Sequence, residues 1–172
     1  MGRRFFFARY RPGLAGHLRS AEDWRNRLEA LASFAEPPEV EVVVLHRATG
    51  APIGAMYLAG IDAANGKAEF SAGFLRGRGT RAIWEAIHFG LRHAFETLRL
   101  RKLVFHCLAD NLQALAMLER AGAHPEGLFR AELALPSGGY ADLWRYALFS
   151  DGDWPRLKAV LERITPLLAA QP

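Results

Sequence analysis

Cysteine is nearly missing from this chain: Cys107 stands alone among 172 residues. No intramolecular disulfide can staple the fold, and no multi-thiolate zinc site can form. Lysine is scarce too, with Lys67, Lys102 and Lys158 the only ones among 22 basic residues. Arginine therefore carries the positive charge, and its planar fork of donors suits phosphate, although base composition of the genome can give the same bias. Long apolar runs are absent. Stretches such as residues 42–45 fall far short of the roughly eighteen needed to cross a bilayer, so no membrane span is expected. No apolar leader follows the basic start Met1-Gly2-Arg3-Arg4, which together with the lone thiol points to a cytoplasmic location. Low-complexity tracts are missing, and 16 Gly and 9 Pro are ordinary usage, so the chain is expected to be ordered.

What is present is a composition of 51% hydrophobic and 23% charged residues. That suffices for one ordinary domain with a single core, spanning residues 1–172. The net charge of +4 gives weak support for an anionic ligand and does not indicate nucleic acid.

Periodicity orders the chain. Ser20 with Asp23 in capping-box spacing opens a helix carrying Trp24, Leu28, Leu31 and Ala35 on one face until Pro37-Pro38. Phe5-Phe6-Phe7 before it reads as a short strand. Residues 40–47 and 53–61 form a hairpin around Ala48-Thr49-Gly50, and Asn65-Gly66 turns the chain into a third strand over 68–75. There Phe70, Ala72 and Phe74 oppose Glu69, Ser71 and Gly73. Ile83, Ile87, Leu91, Ala94, Phe95 and Leu98 then hold a helical period. The apolar run 103–108 is a central strand joined by that helix in a βαβ crossover. Asp110 or Asn111 caps a short helix with Leu115, Leu118 and Ala121 inward, ended by Gly122. Residues 128–135 and 140–148 flank Pro136-Ser137-Gly138-Gly139 as a hairpin. Last, Asp153 caps and Pro155 opens a helix with Trp154, Leu157, Val160, Leu161 and Ile164 on one face.

The most informative segment is Leu75-Arg76-Gly77-Arg78-Gly79-Thr80-Arg81-Ala82, between a strand and a long helix. Glycines there let the backbone turn and approach a ligand, and the amides and dipole of the helix start favour phosphate. A plain strand-to-helix turn with solvated arginines accounts for the letters equally well. Gly77-x-Gly79-x-x-Ala82 also fits a dinucleotide fingerprint, but that fold opens with its glycine loop, whereas an antiparallel meander precedes this one. No Lys-Ser or Lys-Thr follows to make a P-loop.

Arg76-Gly77-Arg78-Gly79-Thr80-Arg81 at this junction resembles the acetyl-coenzyme A loop of the GNAT acetyltransferase superfamily, Arg/Gln-x-x-Gly-x-Gly/Ala. A second block agrees: Asn111, Ala114, Met117-Leu118-Glu119-Arg120 and Gly122, then Glu126-Gly127 with Arg130, then Gly139-Tyr140 with Asp142 and Tyr146. Its pattern is closest to the ribosomal-protein alanine N-acetyltransferase (Rim-type) branch, over a core of about 40–149, with the helix at about 153–165 lying beyond the match. The resemblance implies an α/β fold with a mixed, mainly antiparallel sheet, a central βαβ crossover and splayed parallel strands. It also implies acetyl-CoA as co-substrate, held by Phe74, Leu75, Arg76, Gly77, Arg78, Gly79, Thr80, Arg81, Ala82 and Asn111, with the pantetheine arm between the strands ending near Leu75 and Leu108. Three positions depart from the pattern. Arg81 replaces a small residue and could crowd or contact the pyrophosphate. Ala123 replaces a Phe. Leu118 stands where many relatives place the Tyr that protonates the leaving thiolate, so that proton comes from another tyrosine or from water.

The chemistry so implied is attack of a primary amine on a thioester. An aliphatic ammonium with pKa about 10.4 must first lose a proton. Glu69, on the strand feeding the glycine loop, is the candidate general base; alone, it reads equally as a surface carboxylate or an arginine's partner. The acceptor is a protein N-terminus or a small amine such as an amino sugar, an amino acid or a polyamine. His106 and Cys107, adjacent on a strand, point to opposite faces and both read as core residues. His88 and His93 are off metal-ligand spacing, so no metal is expected. The rival reading is a non-catalytic module of the same fold that binds CoA or a basic-patch partner such as RNA, though no aromatic-basic signature supports RNA. The apolar stripe of the last helix leaves a homodimer open.

Overall fold

The computed structural model describes residues 39–74, 80–135 and 138–166, and before them Glu22, Asn26, Glu29 and Ala30. The expected strand at 5–7, most of the helix expected from Ser20, the loop residues Leu75, Arg76, Gly77, Arg78 and Gly79, and Pro136-Ser137 lie outside the described residues.

The described chain runs β1 (Val40–Leu45), β2 (Pro52–Asp62), β3 (Lys67–Phe74), α1 (Arg81–Arg92), β4 (Lys102–Leu108), α2 (Leu112–Arg120), β5 (His124–Ala134), β6 (Tyr140–Phe149) and α3 (Asp153–Ile164). One six-stranded sheet has the order β1-β2-β3-β4-β6-β5. Among the described residues only β3 and β4 pair in parallel, and α1 crosses between them as the expected βαβ unit. The remaining pairs are antiparallel. Asn65 and Gly66 make the tight return into β3: the Asp62 carboxylate accepts from the Asn65 backbone N–H at 2.9 Å, and Gly66 adopts φ +59°, which costs glycine no Cβ clash.

Alternation sorts the side chains of the central strands. Met56, Leu58, Phe70, Leu103, Cys107, Tyr146 and Leu148 join Ala86, Leu91, Phe95, Leu118, Trp154 and Leu161 of the helices in one buried cluster. The helices thus cover one face of the sheet. At Gly90 the helix comes close against the sheet, since a Cβ there would lie 2.8 Å from Cε2 of Phe70.

Several local expectations are corrected. The helix after the glycine segment does not run unbroken to Leu98: it stops at Arg92 and continues as a π-helical turn, His93–Thr97, with the Leu98 N–H donating to the His93 carbonyl at 2.9 Å. That turn lets both Ala94 and Phe95 stay buried. β5 begins at His124, four residues before the periodicity placed it, because Gly122 ends α2 directly before the strand. The ending is a Schellman closure: Gly122 at φ +80° donates to Glu119 O and Ala123 N–H donates to Leu118 O.

Asp153 does not cap α3. Gly152 is the N-cap residue, and Asp153 is the first helical residue, its buried carboxylate turned back to accept from Phe149 N–H at 3.0 Å, Arg156 Nη2 at 2.7 Å and His124 Nε2 at 3.1 Å. Burial alone would push the Asp153 pKa up, but these donors outweigh it and hold it below the ordinary carboxylate value. Trp154 and Leu161 are buried as expected, whereas Val160 and Ile164 of the same stripe are exposed. Helix α3 packs on α1 and β6 of its own chain. No helix among the described residues is long and apolar enough to cross a membrane.

Candidate active site

The parallel pairing of β3 with β4 is short. It covers Lys67↔Lys102, Ala68↔Leu103 and Glu69↔Val104 and then ends, although β3 continues to Phe74 and β4 to Leu108. Beyond Glu69 and Val104 the two strands diverge within an otherwise continuous sheet. A cavity of about 510 Å3 opens there, within the ~300–1,000 Å3 of small-molecule sites.

The cavity passes through the sheet. Register and alternation put Glu69, Ser71, His106 and Arg145 on one face, since Glu69 opposes Val104 and His106 opposes Arg145. Phe70, Ala72, Phe105 and Cys107 project to the helix-covered face. Members of both sets line the same cavity, together with Trp84 and Ile87 of α1, Leu118 of α2, and Leu157 and Leu161 of α3.

Glu69 is in this lining, and so is Asn111. Asn111 is also the N-cap of α2, its Oδ1 accepting from Ala114 N–H at 3.3 Å, so capping and a place on the cavity wall are compatible. Phe74 closes β3, and Thr80 is the N-cap residue of α1 in extended backbone, making no side-chain cap hydrogen bond. Arg81 and Ala82 form the first turn, which contains no acidic residue. Arg81 is engaged by its own helix: Nε donates to Glu85 Oε1 at 2.9 Å. Phe74, Thr80, Arg81 and Ala82 sit at the strand-to-helix junction and are not among the described residues of the cavity wall.

The reading of His106 as a core residue is corrected. Its side chain is 30% exposed, and Nδ1 lies 3.2 Å from Oε2 of Glu69. Its ring meets Phe129 edge-on with centroids 6.3 Å apart. The signal was present in the sequence as the one polar side chain inside the run 103–108, but its direction depends on the β3/β4 register. Cys107 is buried as expected. Burial, reinforced by the charge of Asp110, pushes its thiol up to about 11, so it is a protonated thiol near neutrality and a poor nucleophile.

Charged groups flank the pair. Arg145 Nε approaches Glu126 Oε2 at 3.1 Å as an ion pair without an aligned hydrogen bond, and Lys102 Nζ donates to the other Glu126 oxygen. Burial of Glu126 opposes ionisation, but the Lys102 hydrogen bond and charge, with Arg145, hold its pKa below the ordinary value. Glu132 of β5 also faces the cavity. Tyrosines are absent from its described lining. Tyr146 is buried and donates to Glu119 Oε1 at 3.3 Å; burial, then the Glu119 charge, raises its pKa. Among the described residues no cluster of His, Cys, Asp or Glu could hold a metal ion.

A mainly antiparallel sheet opened between its two parallel strands, with a helix starting just past the gap, is the architecture of an acyl-CoA-dependent transferase. Residues 4–124 match the family described as acetyltransferase (GNAT) domain, and the chain belongs to that family. It is an acetyl-CoA-dependent N-acetyltransferase. Among solved structures, one from T. thermophilus, assigned by name as an acetyltransferase, is 31% identical, with 84% of this chain and 74% of that chain covered and a TM-score of 0.67. Another structure assigned as an acetyltransferase is 29% identical over 94% of this chain and 85% of that one, with a TM-score of 0.67. A mutant spermidine N-acetyltransferase from Vibrio cholerae shares the fold, with 24% identity, 80% and 79% coverage and a TM-score of 0.69. No curated protein matches the chain.

Proposed function

We propose that the chain transfers the acetyl group of acetyl-CoA directly to a primary amine, with proton removal centred on Glu69. The observation that carries this reading is the early end of the β3/β4 ladder at Glu69 and Val104 beside a cavity that joins the two faces of the sheet. Strand edges left open there offer backbone donors and acceptors to an amide-bearing pantetheine arm, and the apolar walls suit its methylene segments. The start of α1, with Thr80, Arg81 and Ala82, together with Phe74 and residues 75–79, would hold the diphosphate. An acid-free first turn presents its amides and dipole to an anion without competition, and Glu85 keeps the Arg81 guanidinium engaged along the helix. Asn111 on the cavity wall would supply an amide for the arm.

The acceptor ammonium would enter from the face that carries Glu69. Losing a proton frees its lone pair to attack the thioester carbonyl carbon; the nitrogen of the tetrahedral intermediate gives its second proton to water, the C–S bond breaks as the intermediate collapses to the amide, and the CoA thiolate takes a proton from water. A protonated, buried Cys107 favours this single transfer over an acyl-cysteine intermediate. Carboxylates of Glu69 and Glu132 at the mouth favour a cationic acceptor. A protein N-terminus, as in the Rim-type branch, and a small polycation, as for the Vibrio cholerae enzyme, both meet that requirement.

Titration calorimetry with acetyl-CoA, followed by thiol release against a panel of amines and N-terminal peptides, tests the reading. Micromolar cofactor binding and amine-dependent thiol release are expected. Binding without turnover on any amine would favour a cofactor-binding module instead.

A further inference from the structure

The His106 ring reaches Glu69 through Nδ1, 3.2 Å from Oε2, in ion-pair contact without an aligned hydrogen bond. A carboxylate at that separation repels a ring lone pair, so an ionised Glu69 favours the tautomer that carries its proton on Nδ1. In that tautomer Nε2 of a neutral ring is left as an acceptor. The ring itself is held between two surfaces, with Glu69 on one side and Phe129 edge-on at 6.3 Å on the other. His106 also lines the cavity beside Glu69, Ser71 and Arg145, on the face away from the helices.

Resting on the transferase function given above, we propose that the proton-accepting unit is the Glu69–His106 pair, in which Glu69 fixes the ring tautomer and Nε2 of His106 takes the proton from the acceptor ammonium. The N–H bond of the ammonium breaks and an Nε2–H bond forms. The positive charge moves from the amine to the imidazole, where the Glu69 carboxylate stabilises it. Nε2 then releases the proton to water through the exposed part of the ring. The charged groups that bear on this ring are Glu69 from β3, Arg145 from β6, Glu126 and Glu132 from β5, and Lys102 from its own strand. Arg145 and Lys102 are both engaged by Glu126, which leaves the Glu69 carboxylate as the charge in direct contact with the imidazole.

His106→Asn separates the roles, because the Asn amide nitrogen keeps a donor near the Nδ1 position for Glu69 while the Nε2 base is gone. The expected result is a fall in kcat of about 10²–10⁴-fold, with KM for acetyl-CoA and melting temperature unchanged. The pH profile of kcat/KM should change shape in the same variant. His106→Ala should recover turnover with added imidazole, which provides a second readout if the Asn variant misfolds. A His106→Asn enzyme that keeps wild-type kcat and an unchanged pH profile overturns the pair and leaves the transferase reading intact. Wild-type protein that releases no thiol with any amine overturns both.

Discussion

His88 on α1 and Thr165, just past the end of α3, form a hydrogen bond of 2.8 Å between Nδ1 and Oγ1, with both side chains fully enclosed. Thr165 spends its own hydroxyl proton on Leu161 O at 2.8 Å. His88 must therefore donate from Nδ1, which fixes a neutral ring whose Nε2 is buried without a hydrogen-bond partner. This contact pins α3, whose Leu157 and Leu161 reach the cavity wall.

Thr165→Val leaves the His88 donor buried and unanswered, so unfolding free energy should fall by about 1–3 kcal/mol. Urea titration of the two proteins checks this. An unchanged midpoint would show that this hydrogen bond adds nothing to the hold on the helix.

Burial depresses the His88 pKa below its ordinary 6.5, with the nearby charges of Glu162, Arg92 and others secondary. The unfolded chain therefore binds a proton that the folded chain refuses, and stability is full above pH 6.5 and declines as pH falls through that value toward the folded pKa. Denaturation midpoints between about pH 7.5 and about pH 5 should drift downward, and His88→Asn should flatten the drift.

Asp153 acts in a more acidic window. Its folded pKa lies below 3.8 despite burial, because Phe149 N–H, His124 and Arg156 converge on the carboxylate. Its contribution is present above pH 3.8 and is lost as pH drops through the folded value. Asp153→Asn should lower stability at neutral pH by about 1–3 kcal/mol and make the acid limb of the wild-type stability curve shallower.

Gly90→Ala opposes two effects. Helix propensity alone favours Ala by about 0.8–1.0 kcal/mol. A Cβ at this position would meet Phe70 at 2.8 and 3.1 Å and Met56 sulfur at 3.3 Å inside the core, an overpacking that costs about 1–3 kcal/mol. Net destabilisation is expected, read as a lower melting temperature.

Glu69→Gln should depress amine-dependent thiol release by about 10²–10⁴-fold at neutral pH while calorimetric affinity for acetyl-CoA stays near wild type. Turnover unchanged in this variant would remove Glu69 from the chemistry.

Periodicity sufficed for the strands and helices of residues 40–164, because a period of two or 3.6 is stamped by burial on one face. Where it misled, a tertiary constraint had overridden the local pattern. The π-helical turn at His93–Thr97 shifts the helix phase without any Gly or Pro to mark it. Asp153 looks like a cap, yet three donors from β5, β6 and α3 claim its carboxylate. The candidate site was legible as positions and not as contacts. Glu69 and Asn111 were marked by their places in the strand and helix order, whereas the partnership of Glu69 with His106 needs the cross-strand register Glu69↔Val104, which no local pattern encodes.

The outer strand β5 slips register twice against β6, between Pro125 and Gly127 and again between Phe129 and Leu133, and Ala131 takes φ +51° while its N–H is drawn to the Asp142 carboxylate at 2.7 Å. A newcomer's strand seeking to zip onto that border would meet a jagged row of hydrogen-bonding groups instead of a straight one, so the last strand of the sheet is built to discourage fibrous stacking of one molecule on the next.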